Sequence, residues 1–128
     1  MTMSGLLGAI TLFYYTDLKT ASSFYESIGF PKVVDLEWWK VFEITDDVFL
    51  GLVGGDIVPE GIESKKAVKF IVMVENIDYW FNKLKKMGVK LDHDEVYSSS
   101  RLNLREFSFN DPEGYSIEFG HFLTPLGV

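Results

Sequence analysis

The chain of 128 residues contains no cysteine. That excludes disulfide staples, a thiol nucleophile and every Cys-ligated zinc centre. Histidine is nearly as scarce: only His93 and His121 occur, so one chain cannot build a three-histidine metal site. Positive charge is also short, with 12 Lys and Arg against 19 Asp and Glu, a formal net charge of −7. A surface so charged repels phosphate backbones and anionic lipids, and we expect neither nucleic acid nor a membrane as partner. Long apolar runs are missing as well. The longest stretch, residues 6–15, is too short to cross a bilayer and has no basic segment before it. A cytoplasmic location is the resulting default expectation.

What is present is an apolar fraction of 47% and a charged fraction of 24%, the balance of an ordinary globular chain. We expect a single domain over 1–128, long enough to bury roughly two-thirds of its unfolded surface without a staple. Aromatic residues make up 16%, enough to serve a core and to line a binding surface.

The main organising feature is an internal repeat. Ala9-Ile10-Thr11-Leu12-Phe13-Tyr14-Tyr15 is β-prone and runs into Thr16-Asp17, a helix N-cap signal. Leu18, Ala21, Phe24 and Ile28 then recur at helical spacing until Gly29. Val68-Lys69-Phe70-Ile71-Val72-Met73-Val74 repeats the strand, Asn76 the cap, Ile77, Trp80, Leu84 and Met87 the stripe, and Gly88 the stop. Strand and helix align at a constant offset of 59, from 17 to 76 and from 29 to 88. Three extended runs follow each helix, about 33–38, 39–45 and 48–53 in the first half and 90–97, 103–109 and 115–122 in the second. The predicted class is α+β: two β-α-β-β-β modules, about 8–53 and 67–123, joined by a linker over 54–66 that holds Gly54, Gly55 and Pro59. The pair would form a curved eight-stranded sheet, helices on one side and a concave cleft on the other.

These features carry a family resemblance. The paired modules, Asp17 with Phe24-Tyr25 and Gly29-Phe30, and the closing Asp111-Pro112-Glu113-Gly114-Tyr115-Ser116-Ile117-Glu118-Phe119 resemble the vicinal oxygen chelate superfamily, the glyoxalase, bleomycin-resistance and ring-cleaving dioxygenase group. The resemblance spans about 10–122. Metal-dependent members take their ligands from the first and last strand of each module. It places those four positions at Ile10, Gly51, Lys69 and Glu118. Ile and Gly cannot ligate, and an ammonium repels a cation, so a catalytic metal with three or more protein ligands is not expected. We expect no metal and no cofactor.

In the family's topology the first and last strands of a module are neighbours, so Lys69 and Glu118 should lie together as an ion pair where the metal would be. The alternative is a Lys69 that acts as base or amine nucleophile. Alternation puts Leu12, Tyr14, Phe49, Gly51, Ile71, Met73, Ser116 and Gly120 on the cleft side with them. Trp38 and Trp39 should point to opposite faces, Trp39 to the cleft with Val41 and Glu43. The ligand-binding candidates are Tyr14, Trp39, Glu43, Phe49, Lys69, Met73 and Glu118; each also has a bland reading in core packing or surface charge. Asp92-His93-Asp94-Glu95 reads as a solvated strand, His121 as structural, and Arg105 as the partner of a surface acid.

Three functions compete. The first is a metal-free protein of the glyoxalase and bleomycin-resistance type that binds an aromatic or cationic small molecule in an acidic, aromatic cleft. The second is a metal-independent enzyme, a lyase or isomerase, that uses Lys69 and Glu118. The third is a non-catalytic scaffold with a filled cleft. A homodimer is expected, because one small helix per module leaves apolar strand surface uncovered.

Overall fold

The computed structural model describes residues 5–58 and 66–128. They form two compact units, one from each half of the sequence.

In the first unit the strands are β1 (Ala9–Tyr14), β2 (Lys32–Asp35), β3 (Trp39–Thr45) and β4 (Val48–Val53), with helix α1 (Leu18–Ile28) between β1 and β2. The sheet order is β1-β4-β3-β2, with β1 parallel to β4 and the other pairs antiparallel. In the second unit β5 (Lys69–Met73), helix α2 (Ile77–Lys86), β6 (Tyr97–Ser98), β7 (Leu104–Asn110) and β8 (Ser116–Phe122) repeat the plan in the order β5-β8-β7-β6. The class is therefore α+β with two β-α-β-β-β modules, and the eight strands lie in two sheets of four.

Both helices start where the sequence places them. The Asp17 carboxylate accepts from the Thr20 amide, and the Asn76 side chain accepts from the Tyr79 amide, both at 3.1 Å. Each cap satisfies a backbone N–H that the first helical turn leaves without a partner. Gly29 ends α1 at φ 112°, a left-handed conformation that Gly adopts without strain. Leu18, Ala21, Ile28, Ile77 and Leu84 are buried as read, and the stripes differ from the sequence reading at one aromatic position on each helix. Tyr25, not Phe24, is fully buried on α1, and Phe81 replaces Trp80 on α2. The reason is the helical period: Leu18 and Tyr25 are seven residues apart, close to two full turns, and share a face. Trp80 stays half-buried against Phe119, ring centroids 5.2 Å apart, and Met87 is exposed.

In each unit the sheet face that packs on the helix carries the core. The first unit stacks Tyr25 on Phe30 and tilts it against Phe42, with Leu50 and Leu52 fully buried. The second packs Phe81 edge-on to Phe107, which stacks on Phe119 at 5.4 Å. The other face keeps Ile10, Leu12, Ile71 and Met73 exposed. Burial of apolar rings and aliphatic side chains on the helix-packed face stabilises the fold by roughly 25 cal/mol per Å² removed from water.

Two expectations fail in the hairpins. Trp38 lies outside β3 in a bend, so the two tryptophans do not point apart; their rings stack at 6.0 Å and 23°. The strand expected over 90–97 shrinks to Tyr97–Ser98, with only an isolated bridge at Leu91 before it. Asp92-His93-Asp94-Glu95 bends instead, as a run of charged side chains with poor strand propensity does, and Asp92 accepts from the Ser108 hydroxyl. Of the expected linker, residues 59–65 lie outside the described set, and Gly55–Ile57 is a short 3-10 turn.

Candidate functional site

The seven candidates fall into separate groups. In the first unit Trp39 and Phe49 line one open depression of about 520 Å³ with Ile10, Val33, Val34 and Val41. Alternation brings them together: Val41 pairs with Gly51, and Glu43 with Phe49, so the same sheet face carries all four positions. Tyr14 pairs with Val53 at the far end of β1 and does not line that depression. In the second unit Met73 ends β5 and lines a different depression, of about 480 Å³, with His121, Phe122 and residues 123–126.

Lys69 and Glu118 meet. The ammonium donates to Glu118 Oε1 at 3.1 Å. They are not directly opposite: Lys69 pairs with Ser116, and Glu118 with Ile71, so the lysine reaches diagonally across one step of the parallel ladder. The Glu118 side chain is 5% exposed and that of Lys69 is 44% exposed. A buried carboxylate is thus held by an ammonium that keeps contact with water.

A third charged group belongs to the set and was not among the sequence candidates. Glu106 pairs with Gly120, two residues beyond Glu118 on the same face of β8. Burial pushes its carboxyl above the ordinary value, and the adjacent Glu118 charge and a hydrogen bond with Glu118 push the same way, against a smaller pull from Lys69. The signal was available in sequence. Phe107 and Phe109 belong to the core, so Glu106 and Ser108 must face away from it. On the adjoining strand Tyr97 pairs with Glu106, and its ring stacks on His93 at 5.3 Å. One surface therefore holds two carboxyls, one ammonium and a ring pair.

The metal-ligand positions do not fit a metal. Ile10 offers no donor. Gly51 has no side chain and no room for one, since a Cβ there would lie 2.7 Å from Trp39 Cη2 and 2.8 Å from Leu12 Cδ2. Lys69 places a positive charge on the one carboxylate left, Glu118. Among the described residues no three His, Asp or Glu side chains converge on a point that could hold an ion.

The remaining readings place easily. His121 Nδ1 donates to the Val74 carbonyl at 3.0 Å, a structural tie between β8 and the end of β5. Arg105 pairs with Asp78 at 3.1 Å. The Asp111 carboxylate accepts from the Glu113 and Tyr115 amides at 3.0 Å and closes the turn before β8. No helix among the described residues is long and apolar enough to cross a membrane.

No family model and no curated protein matches the chain. Solved structures do. A lactoylglutathione lyase from Agrobacterium tumefaciens superposes with a TM-score of 0.70 at 20% identity, over 94% of this chain and 96% of that one. A glyoxalase/bleomycin resistance protein/dioxygenase from Nocardioides gives 0.76 at 18% identity, over 96% and 87%. TnmS3, an antibiotic binding protein from Streptomyces sp. CB03234, gives 0.70 at 21% identity, over 94% and 98%. Module plan, strand order and these neighbours agree: the chain has the vicinal oxygen chelate fold of the glyoxalase, bleomycin-resistance and dioxygenase proteins.

Proposed function

We propose that this chain is a metal-free small-molecule-binding protein of the glyoxalase and bleomycin-resistance type. Its ligand is aromatic or cationic and rests on an acidic, aromatic surface. The observation that carries the reading is the Lys69–Glu118 ion pair at 3.1 Å, with Ile10 and Gly51 at the other two ligand positions. Those four residues do not suit a Lewis-acid metal, and the groups around them are polar and apolar ones of the kind that recognise a small molecule. A structural neighbour described as an antibiotic binding protein supports the direction. The proposed contact residues are Tyr14, Trp39, Glu43 and Phe49 in the first unit and Lys69, Met73 and Glu118 in the second. The working state is a cytoplasmic homodimer, supported by the exposed Ile10, Leu12, Ile71 and Met73.

The test pairs elemental analysis of dialysed protein with a screen of aromatic cations read by tryptophan fluorescence, repeated on Trp39→Phe to isolate that ring. We expect sub-stoichiometric zinc, nickel, manganese and iron, and saturable quenching by some members of the screen. A stoichiometric metal would overturn the reading. Sedimentation equilibrium that shows only monomer at tens of micromolar would remove the dimer.

One observation favours a second reading, a metal-independent lyase or isomerase. Glu106, Glu118 and Lys69 set a carboxyl raised above its ordinary value by burial and the neighbouring Glu118 charge beside a carboxylate tied to an ammonium, the kind of divergence between two carboxyls that acid–base enzymes use. Turnover of a screened ligand that is lost in both Glu106→Gln and Glu118→Gln would decide for it.

A further inference from the structure

On the helix side of the first sheet lies a crevice that the ligand surface does not explain. Its volume is about 410 Å³, and every lining side chain is polar: Lys19, Ser22, Ser23 and Glu26 from α1, and Lys32, Asp35, Glu37 and Lys40 from the β2–β3 hairpin. The helical four are spaced i, i+3, i+4 and i+7, one face of α1. Lys40 alternates with Trp39 and Val41, so it points away from the depression that holds them.

The charge distribution is uneven. The first 58 residues hold three lysines and no arginine against eight acidic side chains, and all three lysines line this crevice. Charge scattered for solubility alone would not concentrate them so. Lys32 and Lys40 are also unusually enclosed, each side chain only 16% exposed. Lysine normally keeps its stem mobile in water, so the ordering entropy of these two is already spent. Both ammonium groups converge on Asp35, and Lys32 also reaches Glu26 at 3.3 Å. The Asp35 carboxyl is held below its ordinary value, chiefly by the hydrogen bond from Lys40. That spot therefore favours a negative group, yet the carboxylates that fill it, Asp35 and Glu26, have side chains more than half exposed and free to swing outward.

The second observation is independent of charge. Ser22 is 3% exposed, and its hydroxyl is buried without a hydrogen-bond partner among the described residues. An unsatisfied buried hydroxyl costs free energy, and native chains rarely keep one where alanine would serve the helix better. Here it lines a cavity whose other side-chain donors are the Lys19, Lys32 and Lys40 ammonium groups and the Ser23 hydroxyl.

We propose that this crevice binds a phosphoryl group, carried by a small molecule, between Lys19, Lys32, Lys40 and the Ser22 hydroxyl, with Asp35 and Glu26 displaced to solvent. The volume accommodates the group with a modest substituent. The site is distinct from the metal-ligand positions and does not depend on the proposed ligand surface.

The experiment titrates the ¹⁵N-labelled chain with inorganic phosphate at pH 7, against sodium chloride at matched ionic strength. The expected result is saturable shifts of the Ser22, Ser23, Lys32 and Lys40 amides with phosphate alone. Lys40→Gln should weaken binding about tenfold, the loss of one charge-assisted hydrogen bond. Lys19→Gln, an exposed change that spares the fold, should weaken it severalfold. Ser22→Ala should also weaken it while leaving the spectrum otherwise intact. Shifts that chloride reproduces, or a linear response without saturation, would overturn the site. Unchanged phosphate affinity in Ser22→Ala would overturn the part given to the hydroxyl.

Discussion

The Lys69–Glu118 pair yields a double-mutant cycle whose size follows from the burial of its two ends. Lys69→Met leaves Glu118 with a side chain 5% exposed and no ammonium. Breaking a fully buried pair costs about 3–5 kcal/mol. Lys69 is 44% exposed, so water already screens the pair, and about 2 kcal/mol is the appropriate expectation. Glu118→Gln costs about 1 kcal/mol, because the ammonium it abandons is half in water. The double variant should cost less than the two together, with a coupling of about 1–2 kcal/mol. The cycle also has a pH signature through Glu106. Lys69 is one of the groups that draws the Glu106 carboxyl down, so its removal lifts that carboxyl further above its ordinary value of 4.5. A carboxyl raised in the folded state binds its proton more tightly there than in the unfolded chain. Stability then declines as pH rises from the ordinary carboxyl range through the folded titration, and the deficit is complete above it. The Lys69→Met penalty should thus be smaller at pH 5 than at pH 7. Urea midpoints for the four proteins at both pH values, with unchanged slopes, provide the measurement. Additive losses, or a penalty indifferent to pH, would refute the argument.

Three further outcomes are expected. Glu106→Gln keeps the shape and removes the raised carboxyl, so it should be more stable than the parent at pH 7, with the advantage vanishing as pH falls to the ordinary carboxyl range; a thermal melt at several pH values reads it. Gly51→Ala drives a Cβ to 2.7 Å from Trp39 and should cost about 1–3 kcal/mol, with a shift in tryptophan emission; an unperturbed spectrum at full stability would show that the ring moves freely. Asn76→Ala leaves the Tyr79 amide unsatisfied and should cost about 1 kcal/mol in urea, which Asn76→Asp recovers in large part.

The sequence was most legible where one residue dictates local structure. Asp17, Asn76 and Gly29 fix helix ends through their own hydrogen bonds or backbone freedom, and the 59-residue offset survives in the matched pairings Leu12 with Gly51 and Ile71 with Glu118. By putting Phe49, Gly51, Ser116 and Gly120 on the cleft side, alternation left Leu50, Leu52, Ile117 and Phe119 to the opposite face, and all four are fully buried there. It failed where a strand was assumed to continue. Trp38 sits in a bend, and Asp92 to Glu95 never enter the sheet, so side-chain direction there follows turn geometry and not a period of two. The ion pair was readable because two strands bring two charges together. Glu106 went unnoticed because its role depends on a third strand's register, and the polar crevice because it needs helix and hairpin in three dimensions.

The parallel pairing of β5 with β8 bears on how the chain acquires its structure in time. Lys69 and Glu118 are 49 residues apart, and the strands that carry them touch only across the whole length of the second unit. β7 and β8 form a local hairpin through the turn at Asp111, and α2 can start from its own cap, but β5 has no edge to join until β8 exists. Long-range closure of this kind is paid in entropy before any contact rewards it, so docking of β5 belongs late in folding. During synthesis the lysine emerges well ahead of the carboxylate that will hold it. The charged centre of this surface is therefore among the last features to assemble, and a nascent chain released before β8 would expose the apolar edge of an unfinished sheet.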